Sequence, residues 1–352
     1  MAFDEQFLSY LGGIQHNSLS DILDINDTEI NELQIIRRSS YYDFDKFNDF
    51  AKKNKGHFSI LSTNIQSLNS KFSELEAYIE ELDCINFKFN IICIQESWKA
   101  EGDDFSQFVL HGYTAITQGK SCSSKGGLVI YIDNKYKAEP IMNLNIYEHW
   151  EGLIIKVNGG NLSKSLTIGN IYRPPRTNNE QINSFINEFS SAVVSLENSN
   201  HELIIAGDFN INLLKINENE TYSKFFDTLT SHSLYPQITL PTRFTRTNGT
   251  LIDNFFCKLG KAVLESTAGI LTKRFSDHQP YFMILGITQK TVRPPKYVKI
   301  NILSTEAMQN VRHEIKSDDI YNKLNKIPNA NLYNASYIKK FYGLKISTCQ
   351  VN

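Results

Sequence analysis

Eight polar residues stand at or near the ends of apolar, strand-like segments, where a sheet edge can present reactive or metal-binding atoms. Two of them, Asp208 and Asn210, follow the apolar run 203–206 and lie two positions apart, so an extended chain points both side chains to the same side. Taken singly, such residues are ordinary turn formers. The set is informative because several strands end in this way: Asn64, Glu96, Tyr172, Asp208, Asn210, Asp253, Asp277 and His278.

These residue types suit the metal-assisted hydrolysis of a phosphodiester. A hard divalent cation takes oxygen ligands, usually one or two carboxylates together with water and substrate phosphate. Glu96 and Asn64 supply such oxygens, so we expect Mg²⁺ as the cofactor, with Mn²⁺ as the alternative. The sequence has no Cys-x-x-Cys pair that would indicate a zinc site.

The same reaction needs an activated water and donors for the phosphate oxygens. Asp208 can orient or deprotonate that water, and Asn210 can hold it or donate a hydrogen bond to the phosphate. His278 can act as a donor or an acid–base group if a carboxylate fixes its other ring nitrogen. Asp253 is the candidate for that carboxylate, because it lies within the apolar run 251–256, where an unpartnered charge is costly.

Strand-like and helix-like patterns both occur along the chain. Two of the predicted strands, 126–133 and 152–157, are expected to form an antiparallel pair. The remaining predicted strands are 58–64, 89–96, 165–172, 202–208, 251–257 and 281–285. Apolar residues at helical spacing predict helices over 72–82, 180–196 and around 225–229, with a further one over 304–315.

Composition restricts the function classes only broadly. The chain has 352 residues, 41 % of them hydrophobic and 21 % charged, which is typical of a globular protein with a full core. The formal net charge of −2 means that any contact with nucleic acid must use a local basic patch. Five widely spaced cysteines, and the lack of a secretory or membrane-spanning run, lead us to expect an intracellular protein of the nucleus or cytoplasm.

Six motifs occur in the order found in the endonuclease/exonuclease/phosphatase superfamily. They are Asn64-Ile65-Gln66-Ser67-Leu68, Gln95-Glu96-Ser97, Asn170-Ile171-Tyr172-Arg173-Pro174, Gly207-Asp208-Phe209-Asn210, Leu251-Ile252-Asp253-Asn254 and Ser276-Asp277-His278. The variant resembles the apurinic-type endonuclease of non-LTR (LINE-type) retrotransposons. Each motif is weak alone, but six in order are a specific signal.

The resemblance implies a four-layered α/β sandwich of two mixed β-sheets flanked by helices, over residues 57–287. Residues 1–56 would then be an N-terminal extension of unknown role. Residues 288–352 would be a C-terminal extension, a truncated linker towards a reverse transcriptase domain that full-length relatives carry and this chain lacks.

The resemblance also implies a role for each matching residue. Asn64 and Glu96 would bind the metal, Asp208 would orient the water, and Asn210 would lie beside the scissile phosphate. The remaining roles are a phosphate contact for Tyr172, orientation of His278 by Asp253, a place near the metal and water for Asp277, and catalysis by His278. Gln66 stands where several relatives carry Asn or Asp, so it is not assigned to the site.

Basic residues flank these motifs, and we expect them to form a local patch that binds DNA phosphates. They are Arg173, Arg176, Arg243, Arg246, Lys273 and Arg274.

The leading hypothesis is a Mg²⁺-dependent DNA endonuclease of retrotransposon origin that nicks one strand and leaves a 3′-hydroxyl and a 5′-phosphate. A phosphatase or phosphodiesterase of the same superfamily, acting on inositol phosphates, lipids or RNA, is the alternative. A catalytically inactive DNA-binding remnant is the third interpretation.

Overall fold

The computed structural model describes residues 18–19, 38–120, 125–143, 149–175, 178–197, 202–245, 248–260 and 263–287. The helix predicted over 304–315, and the whole C-terminal extension, lie outside these residues. Among the described helices, none is both long and apolar enough to cross a membrane.

Strands and helices alternate along the described residues. The strands are β1 (Tyr41–Tyr42), β2 (Phe58–Asn64), β3 (Ile91–Gln95), β4 (Tyr113–Gln118), β5 (Leu128–Asp133), β6 (Tyr136–Asn143), β7 (Glu151–Gly159), β8 (Leu166–Tyr172), β9 (Glu202–Asp208), β10 (Tyr235–Pro236), β11 (Arg243–Phe244), β12 (Gly249–Thr250), β13 (Asp253–Lys258), β14 (Val263–Leu271) and β15 (Tyr281–Ile287). The helices are α1 (Phe44–Lys53), α2 (Leu68–Cys84), α3 (Asn179–Glu197) and α4 (Glu220–Ser231), with a 3₁₀ turn at Leu213–Lys215.

Two mixed sheets carry the fold. The first has seven strands in the order β1-β14-β15-β2-β3-β5-β4, and the second has six in the order β10-β13-β9-β8-β7-β6. Strands β11 and β12 form a separate two-stranded ribbon.

Each large sheet contains one parallel pair that is connected through a helix. β2 and β3 are parallel and joined by α2, while β8 and β9 are parallel and joined by α3. Such a crossover brings the carboxyl ends of both strands to the same edge of the sheet. This edge carries Asn64 opposite Gln95 in the first sheet, and Tyr172 opposite Asp208 in the second.

The apolar residues of β3 show how the layers are stacked. Ile91 and Cys93 belong to the core that includes the second sheet, whereas Ile92 and Ile94 belong to the core formed with α1 and α2. Alternate residues of a strand point to opposite faces, so both faces of the first sheet are covered. Helices α3 and α4 cover the second sheet through Phe185 and other buried residues. The predicted sandwich with two mixed sheets flanked by helices is therefore confirmed.

A buried polar network links the two sheets below the edge that carries the site. The side-chain amide of Asn170 donates to the carbonyls of Ile94 (2.9 Å) and Val129 (3.1 Å) on the other sheet. The amide of Gln95 donates in return to Asn170 Oδ1 at 2.6 Å. Because separating the sheets would leave the buried Asn170 amide without its partners, these bonds fix the spacing of the sheets.

One predicted pairing is wrong. β5 pairs with β3 and β4 in the first sheet, whereas β7 pairs with β6 and β8 in the second. The sequence interpretation overlooked β4 and β6, which are the hairpin partners of β5 and β7, and it paired β5 directly with β7. β4 is an edge strand with exposed Thr114 and Ala115, so it lacks the continuous apolar run that marks the buried strands.

Residues before the predicted domain boundary at residue 57 also take part in the fold. β1 pairs in parallel with β14, and Phe47 of α1 is fully buried against Phe89 and Phe282. The boundary itself stays a prediction.

Candidate active site

Asn64 links the two sheets at the edge where their parallel pairs end. Its side-chain nitrogen donates to Glu96 Oε1 at 2.9 Å and to Asp208 Oδ2 at 2.8 Å. All three residues are buried, and Asn64 and Asp208 have no exposed surface. A single amide thus holds together two carboxylates from different sheets.

Glu96 is held from its other side by an indole. Trp98 Nε1 donates to Glu96 Oε2 at 2.9 Å, so both carboxylate oxygens of Glu96 are oriented. The backbone of Trp98 is anchored in turn by a 2.9 Å bond to the carbonyl of Gly126.

His278 is oriented by the carboxylate that the sequence nominated. Its Nδ1 lies 3.0 Å from both oxygens of Asp253, and Asp253 Oδ2 accepts a further bond from Thr242 Oγ1 at 2.7 Å. Asp253 is the first residue of β13 and stands opposite Asp208 in register. Nδ1 is therefore committed to Asp253, and Nε2 is the ring atom left for chemistry.

His278 Nε2 points between two carboxylates without bonding to either. It lies 3.9 Å from Asp208 Oδ2 and 3.8 Å from Asp277 Oδ1, both beyond hydrogen-bond length. These separations let a water or a phosphate oxygen approach Nε2 and a carboxylate together.

The buried charges shift the protonation of both groups. Burial raises the pKa of Asp208 to about 7, and the neighbouring Asp253 charge adds to this effect. Burial alone would lower the pKa of His278, but the charges of Asp253 and Asp208 outweigh it and raise the pKa to about 9. Near neutral pH the imidazole is therefore protonated, while Asp208 is poised to gain or lose a proton.

Asp277 lies at the rim, where it is held from two sides. Arg243 Nε donates to its Oδ2 and Gln66 Nε2 to its Oδ1, both at 2.7 Å. The protonated His278 and Arg243 keep the pKa of Asp277 below its usual value despite partial burial. Arg243 also forms an isolated β-bridge with His278, which brings β11 against the segment that carries His278.

Tyr172 and Asn210 both lie beside Asp208. Tyr172 stands opposite it on β8, with a side chain that is fully buried in the main core. Asn210 donates its backbone N–H to Asp208 Oδ1 (3.0 Å) and its side-chain amide to the carbonyl of Arg173 (2.7 Å). Their roles at a phosphate stay predictions.

Arg173 does not belong to a DNA-binding patch, and this prediction is wrong. The residue is only 2 % exposed, and its guanidinium donates to the carbonyls of Phe209 (2.6 Å) and Asn210 (2.7 Å). Burial lowers the pKa of Arg173 to about 10. Arg173 instead fixes the turn that follows Asp208.

The other predicted cations lie at different positions. Lys273 and Arg274 are exposed in the loop before Ser276, with Lys273 Nζ 5.8 Å from the centre of the Tyr78 ring. Arg243 is at the rim, as described above. Arg176 and Arg246 lie outside the described residues.

Several non-glycine residues around the site adopt left-handed backbone conformations, which are uncommon and cost energy. They are Gln66, Ser67, Glu96, Trp98 and Asn210, with φ between 49° and 92°. These residues lie within three positions of the ends of β2, β3 and β9.

The arrangement fits a hard divalent cation. Glu96 and Asp208 present carboxylate oxygens around the side-chain nitrogen of Asn64, and carboxylate oxygens are ligands that Mg²⁺ and similar ions prefer. Among the described residues, Asp208, Asp253 and His278 also bring ligand atoms within 4.8 Å of one another. However, Asp253 and His278 already bond to each other. That Glu96 and Asn64 bind the metal stays a prediction.

The sequence interpretation missed three residues that contact the site: Thr242, Trp98 and Gln66. A hydroxyl beside a buried carboxylate, or an indole two positions after Glu96, has no distinct sequence signal. Gln66 did have one, because it directly follows the Asn64 motif. Glutamine differs from the Asn or Asp of several relatives, so the sequence did not assign Gln66 to the site, yet its side-chain nitrogen donates to Asp277 Oδ1 at 2.7 Å.

The chain is similar in structure to several solved proteins. AP endonuclease LMAP from Leishmania major is similar with a TM-score of 0.51 and 16 % identity, over 76 % of this chain and 98 % of that one. The APE2 catalytic domain from Xenopus laevis has a TM-score of 0.49 and 17 % identity, over 66 % and 93 %. The endonuclease domain of TRAS1, a telomere-specific non-LTR retrotransposon, has a TM-score of 0.48 and 14 % identity, over 66 % and 99 %.

Comparison at the sequence level assigns the family. No match is found among the sequences of curated proteins. The family described as Endonuclease/Exonuclease/phosphatase matches residues 61–278, which is more than half of the chain and includes all six motifs. The superfamily resemblance and the expected enzyme class, a metal-dependent phosphodiesterase, are thereby confirmed. The chain belongs to the endonuclease/exonuclease/phosphatase family.

Proposed function

We propose that the protein is a Mg²⁺-dependent DNA endonuclease that nicks one strand and leaves a 3′-hydroxyl and a 5′-phosphate, and that it is of the retrotransposon type. The observation that carries the proposal is the buried pair of Asp253 and His278, whose Nε2 faces Asp208 across 3.9 Å. An oriented, protonated imidazole opposite a buried carboxylate is an acid–base arrangement for splitting a phosphodiester.

Asp208 acts on the attacking water in this proposal. Its pKa of about 7 lets the carboxylate accept a proton from water near neutral pH. The backbone N–H of Asn210 holds Asp208 Oδ1 at 3.0 Å, which fixes the direction in which the carboxylate faces. Water bound to Asp208 would thus be oriented before it attacks.

His278 acts on the phosphate. The protonated ring has Nδ1 occupied by Asp253, so Nε2–H is the donor that faces the substrate. A charged donor stabilises negative charge that develops on the phosphoryl oxygens. Asp253 serves as the orienting group and stabilises the imidazolium.

Glu96 and Asn64 would hold the metal. A bound divalent cation polarises the phosphoryl group and helps neutralise the charge that forms on it. In this chain, Trp98 and Asn64 keep the Glu96 carboxylate in one orientation.

The choice of DNA as the substrate rests on the order of the motifs and on the cations at the rim. Arg243 lies beside His278, and Lys273 and Arg274 are exposed in the loop that leads to Ser276. Cations beside the catalytic groups, in a chain of net charge −2, favour a substrate that continues past the scissile phosphate.

Supercoiled plasmid tests this proposal directly. The protein with Mg²⁺ should convert it to the open circular form, and end-labelling should find a 3′-hydroxyl that a polymerase extends. His278→Gln and Asp208→Asn should each lower the rate by at least about a hundredfold. Matched reactions offer an inositol polyphosphate and a single-stranded RNA.

Each outcome has a definite meaning. Hydrolysis of the inositol polyphosphate or the RNA, with the plasmid left supercoiled, would replace DNA as the substrate. Binding of DNA without turnover on any substrate would favour the inactive remnant. Nicking that survives both substitutions would show that another protein or another site is responsible.

A further inference from the structure

The segment 38–42 lies in the region that the sequence assigned to an extension of unknown role, yet it contacts both loops that carry catalytic residues. We name it the N-terminal clip. The 237–242 loop connects β10 to β11 and carries Thr242. The 272–280 loop connects β14 to β15 and carries Asp277 and His278.

The clip binds the 237–242 loop through side chains. Ser39 exchanges two bonds of 2.9 Å with Thr239, from its N–H to Thr239 Oγ1 and from the Thr239 N–H to its Oγ. Ser39 Oγ also donates to the carbonyl of Gln237 at 3.1 Å, and Tyr41 donates its hydroxyl to the carbonyl of Pro241 at 2.8 Å. The Tyr41 ring packs against Phe244, with ring centres 6.3 Å apart.

The clip binds the other loop through its backbone. The N–H of Thr272 donates to the carbonyl of Tyr42 at 2.9 Å, which extends the β1–β14 pairing to the start of the 272–280 loop. Tyr42 is itself packed on Phe282 of β15, with ring centres 5.1 Å apart. The clip therefore forms an edge strand of the first sheet, and this strand contacts both loops.

The two loops also bind each other at the point where catalysis is organised. The N–H of Gln279, next to His278, donates to the carbonyl of Thr242 at 2.7 Å. Thr242 Oγ1 donates to Asp253, which orients His278. A shift of the 237–242 loop would therefore move the His278 imidazole by two routes, through Asp253 and through the backbone of Gln279.

We propose that the N-terminal clip is a positioning element of the active site, in which Ser39 and Tyr41 act through the 237–242 loop to keep Thr242, Asp253 and His278 in register. The clip itself touches none of the catalytic side chains. Its role as a catalytic aid rests on the proposed function, but its hold on the loops does not.

Amide hydrogen exchange in the full chain, without metal or DNA, tests the hold on the loops. Ser39→Ala removes the two hydrogen bonds of the Ser39 hydroxyl, and Tyr41→Phe removes the bond from the Tyr41 hydroxyl to the carbonyl of Pro241. We expect exchange at the Gln279 amide, which neither substitution touches, to speed up about three- to tenfold, with exchange at Cys93 in the core of β3 unchanged. Ser39→Thr keeps the hydroxyl, so exchange at the Gln279 amide should be as slow as in the wild type.

Tyr136→Phe is the matched control. It also removes one tyrosine hydroxyl, bonded to Asn161 at 2.7 Å, but at the opposite edge of the second sheet. It should leave exchange at Gln279 and the nicking rate unchanged. In nicking assays, Ser39→Ala and Tyr41→Phe should lower kcat several-fold with little change in KM, because the residues that bind the substrate are still present.

Unchanged exchange at Gln279 in both clip variants would overturn the proposal. Exchange that rises equally at Gln279 and Cys93 would also overturn it, because that pattern means global destabilisation. If the wild-type protein fails to nick DNA, the proposed function falls, while the exchange data still decide whether the clip holds the loops.

Discussion

His278 Nδ1 lies 3.0 Å from each carboxylate oxygen of Asp253, and both residues are almost completely buried. A bonded carboxylate fixes the orientation of the ring and favours its protonated form. The pair joins two elements, because Asp253 begins β13 and His278 lies in the 272–280 loop.

Asp253→Asn should therefore lower the activity while a side chain of the same shape still fills the position. The amide keeps the shape of the side chain but loses the charge that raises the pKa of His278. We expect kcat for nicking to fall by about a hundredfold or more, and the pKa of His278 to drop. Nuclear magnetic resonance titration of the ring measures the second effect without any substrate. A variant with full activity and an unchanged pKa would show that Asp253 does not orient the imidazole.

Stability should depend on pH through His278. Its pKa in the folded protein, about 9, is higher than the usual value of 6.5, so the folded state binds this proton more tightly than the unfolded state does. The stabilisation is complete below pH 6.5 and is lost as the pH rises through 9. At about 1.4 kcal/mol per pKa unit, the loss is about 3 kcal/mol. Urea unfolding at several pH values measures it.

His278→Gln is the control for this prediction, because it removes the titrating ring from the same buried position. The unfolding free energy of the wild type minus that of the variant should decrease as the pH rises from 6.5 to 9.5. A difference that stays constant over this range would contradict the raised pKa.

Most of the strands and most of the site could be predicted, because both follow from local patterns. Continuous apolar runs marked β2, β3, β8 and β9, and the polar residues that end them converge as expected. Edge strands such as β4 carry little burial and therefore little pattern. The wrong pairing of β5 with β7 followed from missing them.

The missing parts of the site depend on contacts between residues far apart in the chain. Gln66 meets Asp277 across 211 positions, and only after its backbone takes a left-handed turn. Arg173 was misassigned for the opposite reason. Its position directly after β8 suggested a rim cation, but the Arg173 side chain turns towards α3, and its guanidinium carbon lies 5.9 Å from the centre of the Phe185 ring.

Trp98→Phe should weaken metal binding. The substitution keeps an aromatic ring but removes the N–H that orients Glu96 Oε2 at 2.9 Å. Loss of such an outer hydrogen bond typically costs about 10- to 100-fold in metal affinity. Calorimetric titration with Mn²⁺ and Mg²⁺ measures the affinity directly.

Trp150→Phe is the matched control for Trp98→Phe. It removes an indole N–H bonded to a carboxylate, Glu188 Oε2 at 2.8 Å, but this bond joins Trp150 to α3 and does not involve Glu96. Metal affinity should be the same as in the wild type. Equal weakening by both substitutions would mean that the effect of Trp98→Phe is a general loss of stability.

Arg173 and the loop cations Lys273 and Arg274 should respond in opposite ways to the removal of charge. Lys273→Gln with Arg274→Gln removes two exposed cations, so the slope of log affinity for DNA against log salt should fall by about one for each phosphate that these side chains neutralise. Arg173→Gln leaves the carbonyls of Phe209 and Asn210 without their charged donor, and hydrogen bonds from charged groups contribute about 1.5–3 kcal/mol each. We therefore expect Arg173→Gln to lower the free energy of unfolding by about 3 kcal/mol and to leave the salt slope as it is.

Filter-binding titrations at several salt concentrations and urea unfolding, made on both variants, separate the two cases. A changed salt slope in Arg173→Gln would return this residue to the DNA-binding surface, and an unchanged slope in the double variant would remove the loop cations from it.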